Sequence, residues 1–289
     1  MSNGLQIVIP THARPDRQIT LTALPPALRS RTLLVTSVEQ DAVRIRELYD
    51  HPARQILVSG CRTIAQKRHW IMEHIKAETI FMMDDDIVFF RRCDPAARAW
   101  NAAKGQWDVT QAGVTLMEQA APEDFTQAFK LLERAAHEGH AAVAIAHRMH
   151  NNRVQDSWLY CARMMYAFGV RTDIYKRLRL RFDEVECRED FNVTLRLLRA
   201  GYTNAVFCEF MTDPRAAFNS AGGASTTRTV QQSDAEAHKL ARLHPGLVKV
   251  VQKNYKGGGG KNPDEGDEKN TRMEVIVQWK RAYMEGQNV

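Results

Sequence analysis

The sequence predicts an α/β fold, a mostly parallel sheet with helices on both faces and additions at the C-terminus. Three observations predict it. Short apolar runs alternate with helical patterns through the first hundred residues, as strand–helix–strand crossovers require. Asp84, Asp85 and Asp86 directly follow the fourth apolar run, and in such sheets ligands gather beyond the carboxyl ends of the strands. A late amphipathic segment, EDFNVTLRLLRA, opens on two acids and stops at Gly201, the end signals of a helix.

In chain order, Leu5 to Pro10 is a first strand that ends at the polar loop THARPDR. Thr32 to Val38 and Gln55 to Ser59 are two more, separated by a helix over Asp41 to Tyr49. Thr63 to Lys76 groups Ile64, Trp70, Ile71 and Ile75 at helical spacing. Thr79 to Met83 is the fourth strand. Pro122 to Gly139 has a proline near its start and a glycine after its end, the asymmetry of a helix. Ala141 to Ala146, Met164 to Val170 and Thr203 to Cys208 are further strands, and Asp234 to His244 is helical. The division expected is an α/β domain over 1–253, a glycine-rich charged linker over 254–272, and a helical segment over 273–289 that docks back on the domain.

The net charge is +6 with a pI near 9.1, over 289 residues. That balance is compatible with a polyanionic partner such as DNA, because phosphate contacts dominate such binding. Five cysteines with no C-x-x-C pair argue against a disulfide framework and a structural zinc site. No apolar run has the length of a membrane span, and no signal peptide opens the chain. The expected compartment is the cytoplasm.

The acidic triplet carries the chemistry. Read as extended chain, alternate side chains face alike, so Asp84 and Asp86 point one way and Asp85 the other. Two carboxylates on one side make a hard oxygen site for Mg²⁺ or Mn²⁺, which keeps positions open for substrate phosphates. A divalent ion also relieves the repulsion among three adjacent carboxylates.

These features resemble the GT-A fold of nucleotide-sugar glycosyltransferases, a Rossmann-like mixed sheet whose fourth strand ends in a D-x-D motif. The resemblance implies that Asp84 and Asp86 hold a metal on the diphosphate of a UDP-sugar; Asp85 is expected to face the donor sugar or neighbouring basic groups. It implies that Arg68, in IAQKRHWIMEH, lies against the nucleotide, and that Thr11 and Arg14 of IVIPTHARPDR flank base and ribose, with Arg17 in reach. The Glu189-Asp190 pair matches the family's late acidic motif. A carboxylate at a helix start stays ionised and can accept a proton, so Asp190 is the expected base of an inverting reaction, with Glu189 second. Further donor contacts are expected from Gly222, Gly223 and Arg228 of the GGASTTR loop, with His238 or His244 near the metal.

The order of motifs also resembles bacteriophage glycosyltransferases associated with TET-like oxygenases. That resemblance implies a hydroxymethylated pyrimidine in DNA, 5-hydroxymethylcytosine, as acceptor, in the host cytoplasm. Arg91, Arg92, Arg98, Arg171, Lys176, Arg177, Arg179 and Arg181 could form a basic rim, and Trp158, Tyr160 and Tyr166 could stack on an extruded base. Other readings are a GT-A enzyme acting on a glycan, lipid or protein, a non-catalytic DNA-binding protein on the same frame, and a nucleotidyltransferase. The last is disfavoured by the lack of a lysine-bearing phosphate loop.

Overall fold

The computed structural model describes residues 4–49, 55–149, 151–214, 229–254 and 271–288. β1 (Leu5–Pro10) leads through two short helices, α1 (Ile19–Ala23) and α2 (Pro26–Arg29), to β2 (Leu33–Thr36). α3 (Glu39–Leu48), β3 (Gln55–Val58), α4 (Ile64–His74) and β4 (Thr79–Met83) follow. Next come β5 (Ile87–Arg92), a small hairpin of β6 (Arg98–Asn101) and β7 (Gln106–Val109), β8 (Met117–Gln119), α5 (Pro122–His137) and β9 (Ala142–His147). β10 (Trp158–Tyr160), β11 (Ala167–Arg171), α6 (Thr172–Arg177), α7 (Glu189–Arg199) and β12 (Asn204–Pro214) complete the main sheet and its helices. The chain closes with α8 (Val230–Leu243), β13 (Val248–Asn254), β14 (Thr271–Val277) and α9 (Trp279–Gly286).

The sheet runs β3-β2-β1-β4-β11-β9-β12-β5-β8, with β10 on β12. Pairing is parallel from β3 to β4 and between β9 and β12, and antiparallel elsewhere. The sheet is therefore mixed, its parallel half on the N-terminal side. Alternation along each strand feeds two cores. Ile7, Ile9, Phe81 and Met83 join Leu21, Ile45, Phe125 and Phe129 on one face. Val8, Ile80 and Met82 join Ile71, Ile174, Val193 and Leu197 on the other. Every residue of β4 is buried, as a strand covered on both faces requires.

Register fixes which ends share an edge. Ala167 opposes Met83, Pro214 opposes Ile87, and His147 opposes Thr212. The end of β4, the starts of β5 and β11, and the ends of β9 and β12 therefore meet at one edge. Arg171, opposite Thr79, lies at the other.

The C-terminal region differs from expectation. Residues 273–277 continue β14, which pairs antiparallel with β13 from Val248↔Val277 to Asn254↔Thr271. The expected helical segment over 273–289 thus opens as a strand, and 254–272 joins two strands of one hairpin, so the expected boundary at 253 falls inside it. The physical reason is the partner: Met273, Val275 and Val277 find in β13 the hydrogen-bonding edge that a lone helix reading ignores.

α9 packs on α7, with the Trp279 and Phe191 rings 5.4 Å apart. A Cβ at Gly286 would come within 2.5 Å of the Leu198 carbonyl oxygen and 2.7 Å of that of Arg199. Gly286→Ala is accordingly expected to cost about 1–3 kcal/mol, read by denaturant titration. An unchanged midpoint would show that α9 does not seat there.

His244 closes α8 against α7. It is buried, and its Nε2–H donates to Asn192 Oδ1 at 2.9 Å, leaving Nδ1 to accept from Arg199 at 3.4 Å. Burial, then the Arg199 charge, lowers its pKa to about 4. The unfolded chain therefore binds the extra proton between pH 6.5 and 4, and the folded chain does not. Stability present above pH 6.5 is lost as pH falls toward 4, by about 3 kcal/mol of linkage. His244→Gln should flatten the pH dependence of the unfolding midpoint, and an equally steep profile would contradict this role.

Candidate active site

The acidic triplet is a turn rather than an extended strand end: β4 stops at Met83 and β5 starts at Ile87. The two strands lie in different parts of the sheet, so the chain reverses through Asp84–Asp86 to reach β5. Thr20 holds the turn's backbone. Its N–H donates to Asp85 O (3.1 Å) and its hydroxyl to Asp84 O (2.5 Å), and it accepts from Ile87 N (3.0 Å).

Each aspartate has a different environment. Asp85 turns inward, where Thr11 donates to its Oδ2 at 2.6 Å and Arg14 approaches Oδ1 at 3.3 Å. Arg14 also holds Asp86 Oδ2 at 2.8 Å. Asp84 Oδ1 accepts from Arg68 at 2.5 Å, and the other end of the same guanidinium donates to Glu189. Asp84 and Asp86 keep 27% and 13% of their side chains exposed, against 8% for Asp85. The extended-chain reading of the triplet is thus corrected in its geometry, while Asp84 and Asp86 are the more exposed two of the three. Desolvation, partly offset by Arg68 at Asp84 and by Thr11 at Asp85, pushes both carboxyls up to about 6.

Arg68 lies 16 residues before Asp84 and 121 before Glu189, and it is 96% buried, its side chain only 4% exposed. Its guanidinium also lies 4.9 Å from the centre of the Phe168 ring. It therefore joins the turn to the start of α7, where a contact with a nucleotide was expected. Thr11 differs in the same way. It is buried, its hydroxyl spent on Asp85 and accepting from Gln18 at 3.0 Å, so it braces the turn instead of flanking a base. Arg14 pairs with the acids, and Arg17 is exposed on the same loop.

Glu189 and Asp190 open α7 and are both buried. Glu189 is engaged by Arg68, whereas Asp190 Oδ2 meets the half-exposed Arg163 at 3.7 Å. The preceding Arg188 has φ +86° and ties the helix start to the C-terminal elements, donating to Ser233 O and Met273 O, each at 2.8 Å. His238 is exposed on α8. Among the described residues no three His, Cys, Asp or Glu side chains form a metal-holding group, so His238 does not join Asp84 and Asp86 in one; α8, which carries it, packs on β13 and β14. Gly222, Gly223 and Arg228 lie outside the described residues.

The basic rim does not form as expected. Arg92 and Arg98 are buried on Glu209, at 2.9 and 2.7 Å, with Trp107 beneath them. Arg91 pairs with Glu118, and Arg171 and Arg177 share Asp173 at the far edge. Of the three aromatics, Trp158 packs on Phe207 and Tyr160 on His140, and only Tyr166 stands at the acidic edge.

Sequence reasoning missed Lys67, Gln18 and Thr20. Lys67 is wholly buried under the THARPDR loop, donating to Thr11 O and to Ser37 Oγ (2.9 Å), and desolvation lowers its pKa to about 8. Its neighbour Arg68 drew the attention, although an adjacent KR pair on a core-facing helix was signal enough for both.

Taken together, one sheet edge gathers five carboxylates, Asp84, Asp85, Asp86, Glu189 and Asp190, around Arg14, Arg68 and Arg163. This is an α/β protein with a cluster of carboxylates at one edge of its sheet. The sequence model of the TET-Associated Glycosyltransferase family matches residues 5–223, and the chain belongs to that family. It is a glycosyltransferase.

No curated protein matches the sequence. Solved structures that overlap it include S. aureus TarS 1-349 in complex with UDP-GlcNAc, 13% identical, covering 86% of this chain and 68% of that one at a TM-score of 0.49. A mannosyltransferase from Pyrobaculum calidifontis with GDP-Man and Mn²⁺ is 14% identical, covering 82% and 64% at 0.46. GalNAc-T7 with UDP, GalNAc and Mn²⁺ is 9% identical, covering 83% and 47% at 0.44. Among the described residues no helix is long and apolar enough to cross a membrane.

Proposed function

We propose that the enzyme moves a sugar from a UDP-sugar to the hydroxymethyl group of a modified pyrimidine in phage DNA, 5-hydroxymethylcytosine. One observation carries this reading: the partly exposed Asp84 and Asp86 share an edge with the Glu189-Asp190 helix start, Asp84 joined to it through Arg68. A donor-holding pair and a proton-accepting pair are thereby built into one rigid unit. The family's association with TET oxygenases supports the acceptor.

The residues fit a divalent metal. Five carboxylates face three guanidinium groups and the Lys67 ammonium among the described residues, an excess of one negative charge. Two carboxylates with the rest of the sphere left to substrate phosphates is the ligand set that Mg²⁺ and Mn²⁺ accept. Bound on Asp84 and Asp86, the cation supplies charge neutralisation for a departing diphosphate.

The protein's own residues do the rest. Asp190, not held by Arg68, takes the proton of the acceptor hydroxyl as its oxygen bonds to the anomeric carbon. The bond from that carbon to the phosphate oxygen breaks, and UDP leaves with the electron pair. Glu189 and Arg68 fix the start of α7, and Thr11, Thr20 and Gln18 fix the turn.

The test is intact-mass measurement of 5-hydroxymethylcytosine DNA after incubation with Mn²⁺ and a panel of UDP-sugars. One sugar residue gained per hydroxymethylcytosine is expected, with none on unmodified cytosine. Transfer to free glycans or protein and none to DNA would sink the acceptor assignment.

A further inference from the structure

Tyr166 has a backbone that its own residue type does not explain. Its φ is +59°, in the left-handed region that non-glycine residues enter rarely and at a cost. Ala167 N–H closes a three-residue turn onto Met165 O at 2.6 Å, and Tyr166 O accepts from the N–H of Asp84 at 2.8 Å. The strained residue is thus bonded directly to the acidic turn. Its ring rests partly on the core and is partly exposed, 5.2 Å from the His147 ring at 46°. His147 ends β9 at the same edge.

The charges of Arg163, Asp84, Asp190 and Asp86 act on the Tyr166 hydroxyl. It is therefore near both the donor-side and the acceptor-side carboxylates. Strain held at such a place points to a function, and the partly exposed Tyr166 ring, braced by the tilted His147 ring, offers a face on which a flat ring can stack.

We propose that Tyr166 and His147 form the acceptor platform, on which the pyrimidine of a flipped-out hydroxymethylated nucleotide stacks with its hydroxymethyl group toward Asp190. This rests on the reading of the acceptor given above. A base must leave the duplex stack before its substituent can reach a carboxylate in a protein edge, and the platform supplies the replacement stacking partner.

The experiment uses the full chain with Mn²⁺ and a single-stranded oligonucleotide carrying one 5-hydroxymethylcytosine. Tyr166→Asn removes the ring while suiting the left-handed backbone, since asparagine tolerates that region. It should raise the KM for the oligonucleotide about tenfold or more, in line with a lost stacking partner, and weaken oligonucleotide binding by anisotropy to match. The Kd of the UDP-sugar by calorimetry should stay within about twofold. Tyr166→Phe and His147→Phe keep the rings and should keep the acceptor KM, which separates stacking from a structural role.

An unchanged acceptor KM in Tyr166→Asn and His147→Ala, with the wild type active on this DNA, overturns the platform alone. An equal loss of donor affinity in Tyr166→Asn also overturns it. A wild-type enzyme that neither binds nor modifies the oligonucleotide overturns the platform together with the acceptor reading.

Discussion

Asp86→Ala is expected to reduce sugar transfer by about a thousandfold or more while the protein stays folded. In the proposed site Asp86 is one of two carboxylates that would steady a departing diphosphate, and losing it there would forfeit several kcal/mol of transition-state stabilisation, each ~1.4 kcal/mol being a factor of ten. The fold should survive because Asp86 is the turn residue whose loss leaves Arg14 still beside Asp85. Asp85→Asn should behave oppositely. Asp85 is the buried acceptor for Thr11 and Arg14, and its change should lower the melting temperature before it says anything about catalysis.

The pH dependence follows from the same geometry. The Asp84 carboxyl is pushed up to about 6, chiefly by desolvation, so metal and donor binding should weaken as pH falls through 6, about tenfold per pH unit for each proton displaced. The contribution of that raised pKa to the metal-free protein has the reverse sign. It is present below the ordinary carboxyl range and is lost as pH rises through 6. Calorimetric titration of Mn²⁺ with UDP at pH 5 and 7.5 checks the first part. Full turnover by Asp86→Ala with added Mn²⁺ would end the assignment of the metal site.

The second large effect is expected at Arg68. Arg68→Met strands Asp84 and Glu189 without their shared cation, and breaking a buried pair in this way costs about 3–5 kcal/mol. Activity should be lost as well, because the turn and the start of α7 would no longer be held in one arrangement. The double variant Arg68→Met/Glu189→Gln should regain part of the stability but none of the turnover. If the two changes add without coupling, measured by denaturant titration of all four proteins, the bridge is not the link proposed here.

The alternation of strand and helix through Met83 was legible because each of those strands is a short, mostly apolar run set between helical segments. The amphipathic stripe of α7 was legible for a similar reason, its apolar positions recurring at helical spacing between two acids and Gly201. β5 was not, since IVFFRR follows the aspartates with no break and reads as a continuation. β10 and the β13–β14 hairpin were missed because their evidence is a partner strand far along the chain: Trp158 pairs with Phe207, and Val248 with Val277.

By itself the sequence determined the α/β class, the place of the three aspartates beyond the carboxyl end of the fourth strand, and the acidic start of the late helix. These depend on local patterns of apolar spacing and charge, which a chain carries in one dimension. Tertiary structure decided what each charge does. Arg68 and Thr11 look like nucleotide contacts in sequence, yet the fold buries both and spends them on Asp84, Glu189 and Asp85. The basic residues near Arg92 and Arg171 read as a rim, and folding pairs them with Glu209 and Asp173 away from the edge. A buried charge must find its partner through space, and partners more than a hundred residues distant leave no local trace.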